Sequence, residues 1–120
     1  MKKSILIIGP RSSGKTTLAL KIASGHASYF AHPEEVLKDH MLEFIPKGTD
    51  KLIVEGCEKL LNDTEKLNTA MTLSWVNGRP APEIILTSCL RKSDLPEYLV
   101  MNQKITLINL WSEETLPQVI

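Results

Sequence analysis

The chain has 120 residues, 42% of them hydrophobic, which is enough to bury one ordinary core but not two. Lys plus Arg number 14 and Asp plus Glu number 14, so the formal net charge is zero and no positive excess exists to grip a phosphate backbone without specificity. That argues against broad nucleic-acid binding, and no apolar run approaches the roughly 20 residues needed to cross a bilayer, so the expectation is one soluble cytoplasmic domain with no membrane partner.

In chain order, the opening MKKSILIIG sets two lysines before an apolar run, as a signal peptide does, but the run stops at Gly9-Pro10 and a polar segment follows. It reads instead as a first strand, Ser4 to Ile8, whose continuous aliphatic character suits burial on both faces. From Gly14 to Ser24 the residues Leu18, Ile22 and Ala19, Ala23 recur at helical spacing, with Gly25 as the C-terminal cap. Ala27 to Ala31 reads as a short second strand. Pro33, Glu34 and Glu35 then open a helix whose face is Val36, Leu37, His40, Met41, Phe44 and Ile45, and Pro46 and Gly48 end it.

Leu52 to Val54 is the third strand and leads into Glu55-Gly56. A helix from Asn62 or Asp63 through Leu67, Met71 and Trp75 to Asn77-Gly78 follows, then a proline-rich loop from Arg79 to Pro82. Glu83 to Ser88 is the fourth strand. Ser93-Asp94-Leu95-Pro96 opens a short helix that includes Tyr98, Leu99 and Met101, Lys104 to Leu110 is the fifth strand, and a polar tail begins at Ser112. Apolar segments alternating with helical patterns predict an α/β fold in which a mostly parallel five-stranded sheet carries helices on both faces.

Gly9-Pro10-Arg11-Ser12-Ser13-Gly14-Lys15-Thr16 fits G-x-x-x-x-G-K-[ST] without a departure. The pattern has a physical basis: backbone N–H groups must turn inward around phosphate oxygens, and a side chain at Gly9 or Gly14 would obstruct that approach. The helix that begins after Gly14 adds its positive end. Lys15 is placed to reach the outer phosphates, the Thr16 hydroxyl to ligate Mg2+, and Thr17 to make a further phosphate contact. Chance would produce the pattern in a chain of this length about one time in two hundred, and here it lies between an aliphatic strand and an amphipathic helix, so a plain glycine turn is the poorer reading.

The segment resembles the P-loop nucleoside triphosphatase superfamily, and the strand-helix order extends the resemblance along the chain. The resemblance implies a three-layer P-loop fold with ATP and Mg2+ as ligands. It also implies an acidic residue after an aliphatic strand that holds the metal through water. Lys51-Leu52-Ile53-Val54-Glu55 matches, with Glu in place of Asp. Glu55 is thus either that metal residue or part of a strand-end ion pair. In the ATPase branch the next residue is commonly the water-activating Glu, where this chain has Gly56; Glu58 is the nearest substitute as general base, or else a solvated residue. Thr87 and Ser88 occupy the place of a residue that senses the γ-phosphate, or are ordinary strand-end hydroxyls. Arg79 and Arg91 are candidates for an arginine finger against surface roles, and Trp111 for base contact against packing.

Three functional readings follow: an ATPase with Lys15 and Glu58 as its catalytic pair, a nucleotide-dependent switch or assembly module, and a small-molecule kinase or GTPase. Arg91-Lys92-Ser93-Asp94 only partly matches the guanine-reading N-K-x-D motif, and the stretch after Cys89 is poor in the arginines a kinase lid would use. Strand order separates the branches. In the ATPase order the third and fourth strands are neighbours, about 5 Å apart, whereas in the kinase and GTPase order the first strand lies between them. Lacking an evident substrate pocket of its own, the domain is expected to act as a homo-oligomer or with another protein. Cys57 and Cys89 lack metal-ligand spacing and are expected to be buried reduced thiols, and His26, His32 and His40 surface or loop residues.

Overall fold

The computed structural model of the protein describes residues 4–32, 46, 48–56, 58, 75–76, 79–101 and 105–111. In chain order its elements are β1 (Ser4–Ile8), α1 (Lys15–Ala23), β2 (Ser28–Ala31), β3 (Lys51–Val54), β4 (Trp75–Val76), β5 (Arg79–Pro80), β6 (Glu83–Ser88), a 3-10 turn (Lys92–Asp94), α2 (Glu97–Met101) and β7 (Ile105–Asn109). The helix expected over Pro33 to Ile45, the body of the one expected from Asn62 onward, Cys57, His40 and the tail from Ser112 lie outside the described residues.

Five strands form one sheet in the order β2-β3-β6-β1-β7, and all four pairings are parallel. The expectation of a mostly parallel sheet is therefore exceeded. Strands buried on both faces read as unbroken aliphatic runs, and the two central strands do: Leu6, Ile7 and Ile8 of β1 and Ile84, Ile85 and Leu86 of β6 are fully buried. Each such side chain contributes about 1.5–3 kcal/mol relative to an exposed one, so β1 and β6 anchor the fold.

Pleat alternation sorts these residues into two clusters. Ile7, Ile53 and Ile85 pack with Ala19 and Ala23 of α1, and Leu18, Ile22, Ile108 and Leu110 join them. Leu6, Ile8, Leu52, Val54, Ile84 and Leu86 pack with Leu95 and with Leu99 of α2. The two helices therefore lie on opposite faces of the sheet. At the amino ends of β3 and β6 the register partners Lys51 and Glu83 form an ion pair, with side chains only 14% and 19% exposed.

Two expectations are corrected. Trp75 is not helical: β4 pairs antiparallel with β5, Trp75 opposite Pro80 and Val76 opposite Arg79, so the stretch from Arg79 is not wholly loop. Asn77-Gly78, read as a helix stop, is also the strongest short-range hairpin signal, and Pro80 is tolerated because a two-stranded ribbon has only edges. The helix expected from Ser93 is split, with the 3-10 turn ending at Asp94 and α2 starting at Glu97. Pro96 disfavours helical geometry at Leu95, whose φ and ψ of −80° and 144° are extended.

Candidate functional site

The Gly9–Thr16 loop leaves the carboxyl end of β1, between β6 and β7. Both neighbours hold its root: Gly9 N–H donates to the Ser88 carbonyl at 3.1 Å, and Leu110 N–H donates to the Ile8 carbonyl at 2.8 Å. Ser13 N–H then donates to the Pro10 carbonyl at 3.2 Å, closing a turn. Its third residue, Ser12, has φ of 61°, the left-handed conformation a type II turn requires there, where glycine or asparagine is usual.

Gly14 caps α1 with φ of 90°, and its carbonyl accepts from Leu18 N–H at 2.8 Å. The first N–H groups of a helix have no intrahelical acceptor, so those of Lys15, Thr16 and Thr17 are available to a ligand. No acidic residue in the first turn offsets the positive end of the helix. Ser12, Gly14, Lys15, Thr16 and Thr17 line an open cleft of about 340 Å3 there. Gly9 is buried at the root, Pro10 is half-buried and Arg11 is exposed. The Ser13 hydroxyl is buried, without a hydrogen-bond partner among the described residues.

The two glycines are required for different reasons. A Cβ on Gly14 would meet nothing within 4 Å, so its need is conformational. A Cβ on Gly9 would fall 2.7 Å from Ser13 Oγ and 2.9 Å from Leu110 Cβ. At Gly9 a side chain would therefore also be obstructed by the protein itself.

Lys15 is folded back on its own loop. Its Nζ donates to the carbonyls of Gly9 at 2.9 Å and Pro10 at 2.8 Å, and lies 3.6 Å from Cys89 Sγ. Glu55 directly follows β3 and is exposed, with no ion pair among the described residues. The alternation that puts Ile53 and Ile85 on the α1 face also places Thr87 there, and continues to Glu55. Thr87 and Ser88 are 3% and 1% exposed. Ser88, on the opposite face, has its hydroxyl occupied by Leu90 N–H at 3.1 Å, so of the two only Thr87 shares a face with the loop and α1. Glu58 is half-buried, and its Oε1 accepts a 3.1 Å hydrogen bond from Cys89 N–H.

Trp111 is removed from the cleft. It packs with the cluster on the α2 face, donates from Nε1 to the Leu90 carbonyl at 2.9 Å, and lies under the Arg91 guanidinium, 4.2 Å from the ring centroid. Packing accounts for it, and Arg91 is engaged within its own chain. Arg79 lies in β5.

Cys89 is exposed rather than buried and sits between Lys15 and Glu58. The metal-ligand spacing it lacks was the wrong signal. The informative one is its place just past a central parallel strand, at the carboxyl ends where open α/β sheets bind ligands. Among the described residues no group of three or more His, Cys, Asp or Glu could hold a metal ion alone, and no helix is long and apolar enough to cross a membrane. His26 and His32 are exposed. No family model matches this chain, and no curated protein matches it.

Proposed function

We propose that the chain binds a nucleoside triphosphate, MgATP, through Gly9 to Thr17 and hydrolyses it slowly. One observation carries this reading: the loop at the carboxyl end of a central parallel strand opens onto the N-terminus of α1, with Ser12, Gly14, Lys15, Thr16 and Thr17 around one cleft. A ring of backbone N–H donors, a helix N-terminus and a lysine is a donor set for anionic oxygens.

Strand order favours the ATPase branch over kinase and GTPase. β3 lies directly beside β6, from Lys51↔Glu83 to Val54↔Leu86, and β1 does not separate them. Together with helices on opposite faces, this supports a three-layer P-loop fold of ATPase type.

In this reading Lys15 leaves the loop carbonyls for the outer phosphates, and Thr87, on the α1 face, senses the γ-phosphate. Mg2+ fits the residues present. The exposed Thr16 hydroxyl in the cleft and, through water, Glu55 would hold it, since Mg2+ keeps several waters and needs no all-protein cage. When bound it neutralises charge on the outer phosphates. Glu58 is the base that would orient the attacking water, but its carboxylate is tied to Cys89 N–H. That tie, with Gly56 after Glu55, favours slow turnover and keeps a second reading alongside, a nucleotide-dependent switch or assembly module acting as a homo-oligomer or with another protein.

Calorimetry with ATP and GTP, with and without Mg2+, combined with phosphate release in the same samples, tests the proposal. Mg2+-dependent ATP binding that Lys15→Ala abolishes is the expected result, and affinity retained by that variant would overturn the phosphate assignment. Glu58→Gln should bind normally but release no phosphate; unchanged release would remove Glu58 from the chemistry.

A further inference from the structure

An ammonium group has three N–H donors, and all three directions around Lys15 Nζ are occupied: the Gly9 carbonyl at 2.9 Å, the Pro10 carbonyl at 2.8 Å and Cys89 Sγ at 3.6 Å. The first two partners belong to the loop itself. The third comes from beyond the neighbouring strand β6, and its backbone N–H holds Glu58 Oε1 at 3.1 Å. The residues around Cys89 are well fixed. Ser88 is 1% exposed and accepts from Gly9 N–H, and Leu90 donates to Ser88 Oγ while its carbonyl accepts from Trp111 Nε1. Cys89 is therefore an exposed residue on an anchored span, with one group toward the cleft lysine and the other toward the acid after β3.

We propose that Cys89 is a positioning residue of the phosphate site: its thiol holds Lys15 and its N–H holds Glu58, so the empty loop rests in an arrangement that a triphosphate must undo. This rests on the phosphate-binding reading above. Lys15 cannot direct its donors to phosphate oxygens while all of them point at Gly9, Pro10 and Cys89, so binding proceeds at the expense of these contacts. Cys89 Sγ is the only one of the three that a side-chain substitution can remove. Truncating it weakens the resting arrangement and leaves the loop's N–H groups in place.

The probe is magnesium tripolyphosphate, which carries the phosphates without a base. Calorimetry gives its affinity for the wild type, Cys89→Ser and Cys89→Ala. Alkylation by N-ethylmaleimide, followed on the Cys89 peptide by mass spectrometry, reports the thiol separately from Cys57. Cys89→Ala should bind tripolyphosphate about two- to fivefold more tightly, the size of one weak hydrogen bond. Cys89→Ser, which keeps an acceptor, should stay near wild type. Saturating tripolyphosphate should change the rate of Cys89 alkylation severalfold in the wild type, because Lys15 Nζ leaves its place 3.6 Å from the thiol. Ligand-free Lys15→Met should already be alkylated at that changed rate, since the Nζ contact to Cys89 Sγ is gone without any ligand. A purely structural role for Cys89 would not produce this dependence on Lys15. Binding with equal affinity in all three proteins and an unchanged alkylation rate would overturn the proposal and leave the phosphate site standing. Failure of tripolyphosphate to bind the wild type at all would overturn both.

Discussion

Gly9→Ala tests the packing at the root of the loop. The added Cβ would lie 2.9 Å from Leu110 Cβ and 2.7 Å from Ser13 Oγ, where carbon atoms at rest sit about 3.5–4.0 Å apart. Ser13 can yield, since its hydroxyl rotates and has no hydrogen bond among the described residues to lose. Leu110 cannot, because its Cβ is fixed to a backbone whose N–H is bonded to the Ile8 carbonyl at 2.8 Å. Relief therefore requires the end of β7 to move away from β1, an overpacking cost of about 1–3 kcal/mol. Urea unfolding followed by tryptophan fluorescence should show a lower midpoint at unchanged slope, and the melting temperature should fall by roughly 3–6 °C per kcal/mol for a domain of this size. Adding Ser13→Ala should recover little of the loss. An unchanged midpoint in Gly9→Ala would refute the argument, and full recovery in the double variant would transfer the constraint from Leu110 to Ser13.

Gly14→Ala meets no obstacle but forces alanine to φ of 90°, so it should cost about 1–2 kcal/mol in thermal unfolding, and Gly14→Asn less. Ser12→Gly relieves a left-handed serine and should leave stability level or raise it by up to about 1 kcal/mol; a loss in the same assay would count against strain in the turn. Lys51→Met removes the ammonium from Glu83, whose side chain is 19% exposed, and should cost about 1–3 kcal/mol, with Lys51→Met plus Glu83→Leu recovering much of it.

The strands were legible where the sequence carries unbroken aliphatic runs. β1 and β6 begin and end at the residues read for them, because Gly9-Pro10 closes the first aliphatic run and Pro82 precedes the second. α1 was equally plain, ending at Ala23 with Ser24 as its C-cap and Gly25 beyond at φ of 82°. Trp75 was misread because Asn-Gly can stop a helix as well as turn a hairpin, and only the pairing of β4 with β5 distinguishes the two. The Gly9–Thr16 loop was readable as a contiguous pattern, whereas the contact of Cys89 with Lys15 spans 74 positions and left no local trace. Glu58 could be picked out as an acid near the end of β3, but the N–H that holds it belongs to the residue just after a strand whose place beside β3 no local pattern specifies.

The position of β1 also has a consequence for how the domain comes into being. β1 precedes the other strands in the chain, yet its register partners are residues 85–88 on one side and 105–109 on the other. A ribosome delivers both partners after β2 and β3, so this buried strand waits without an edge to pair with. Such distant pairings close slowly, and until they close, Ser4–Ile8 is an exposed aliphatic segment open to chaperones and to self-association. The loop that follows it acquires its shape only when residues 105–111 arrive.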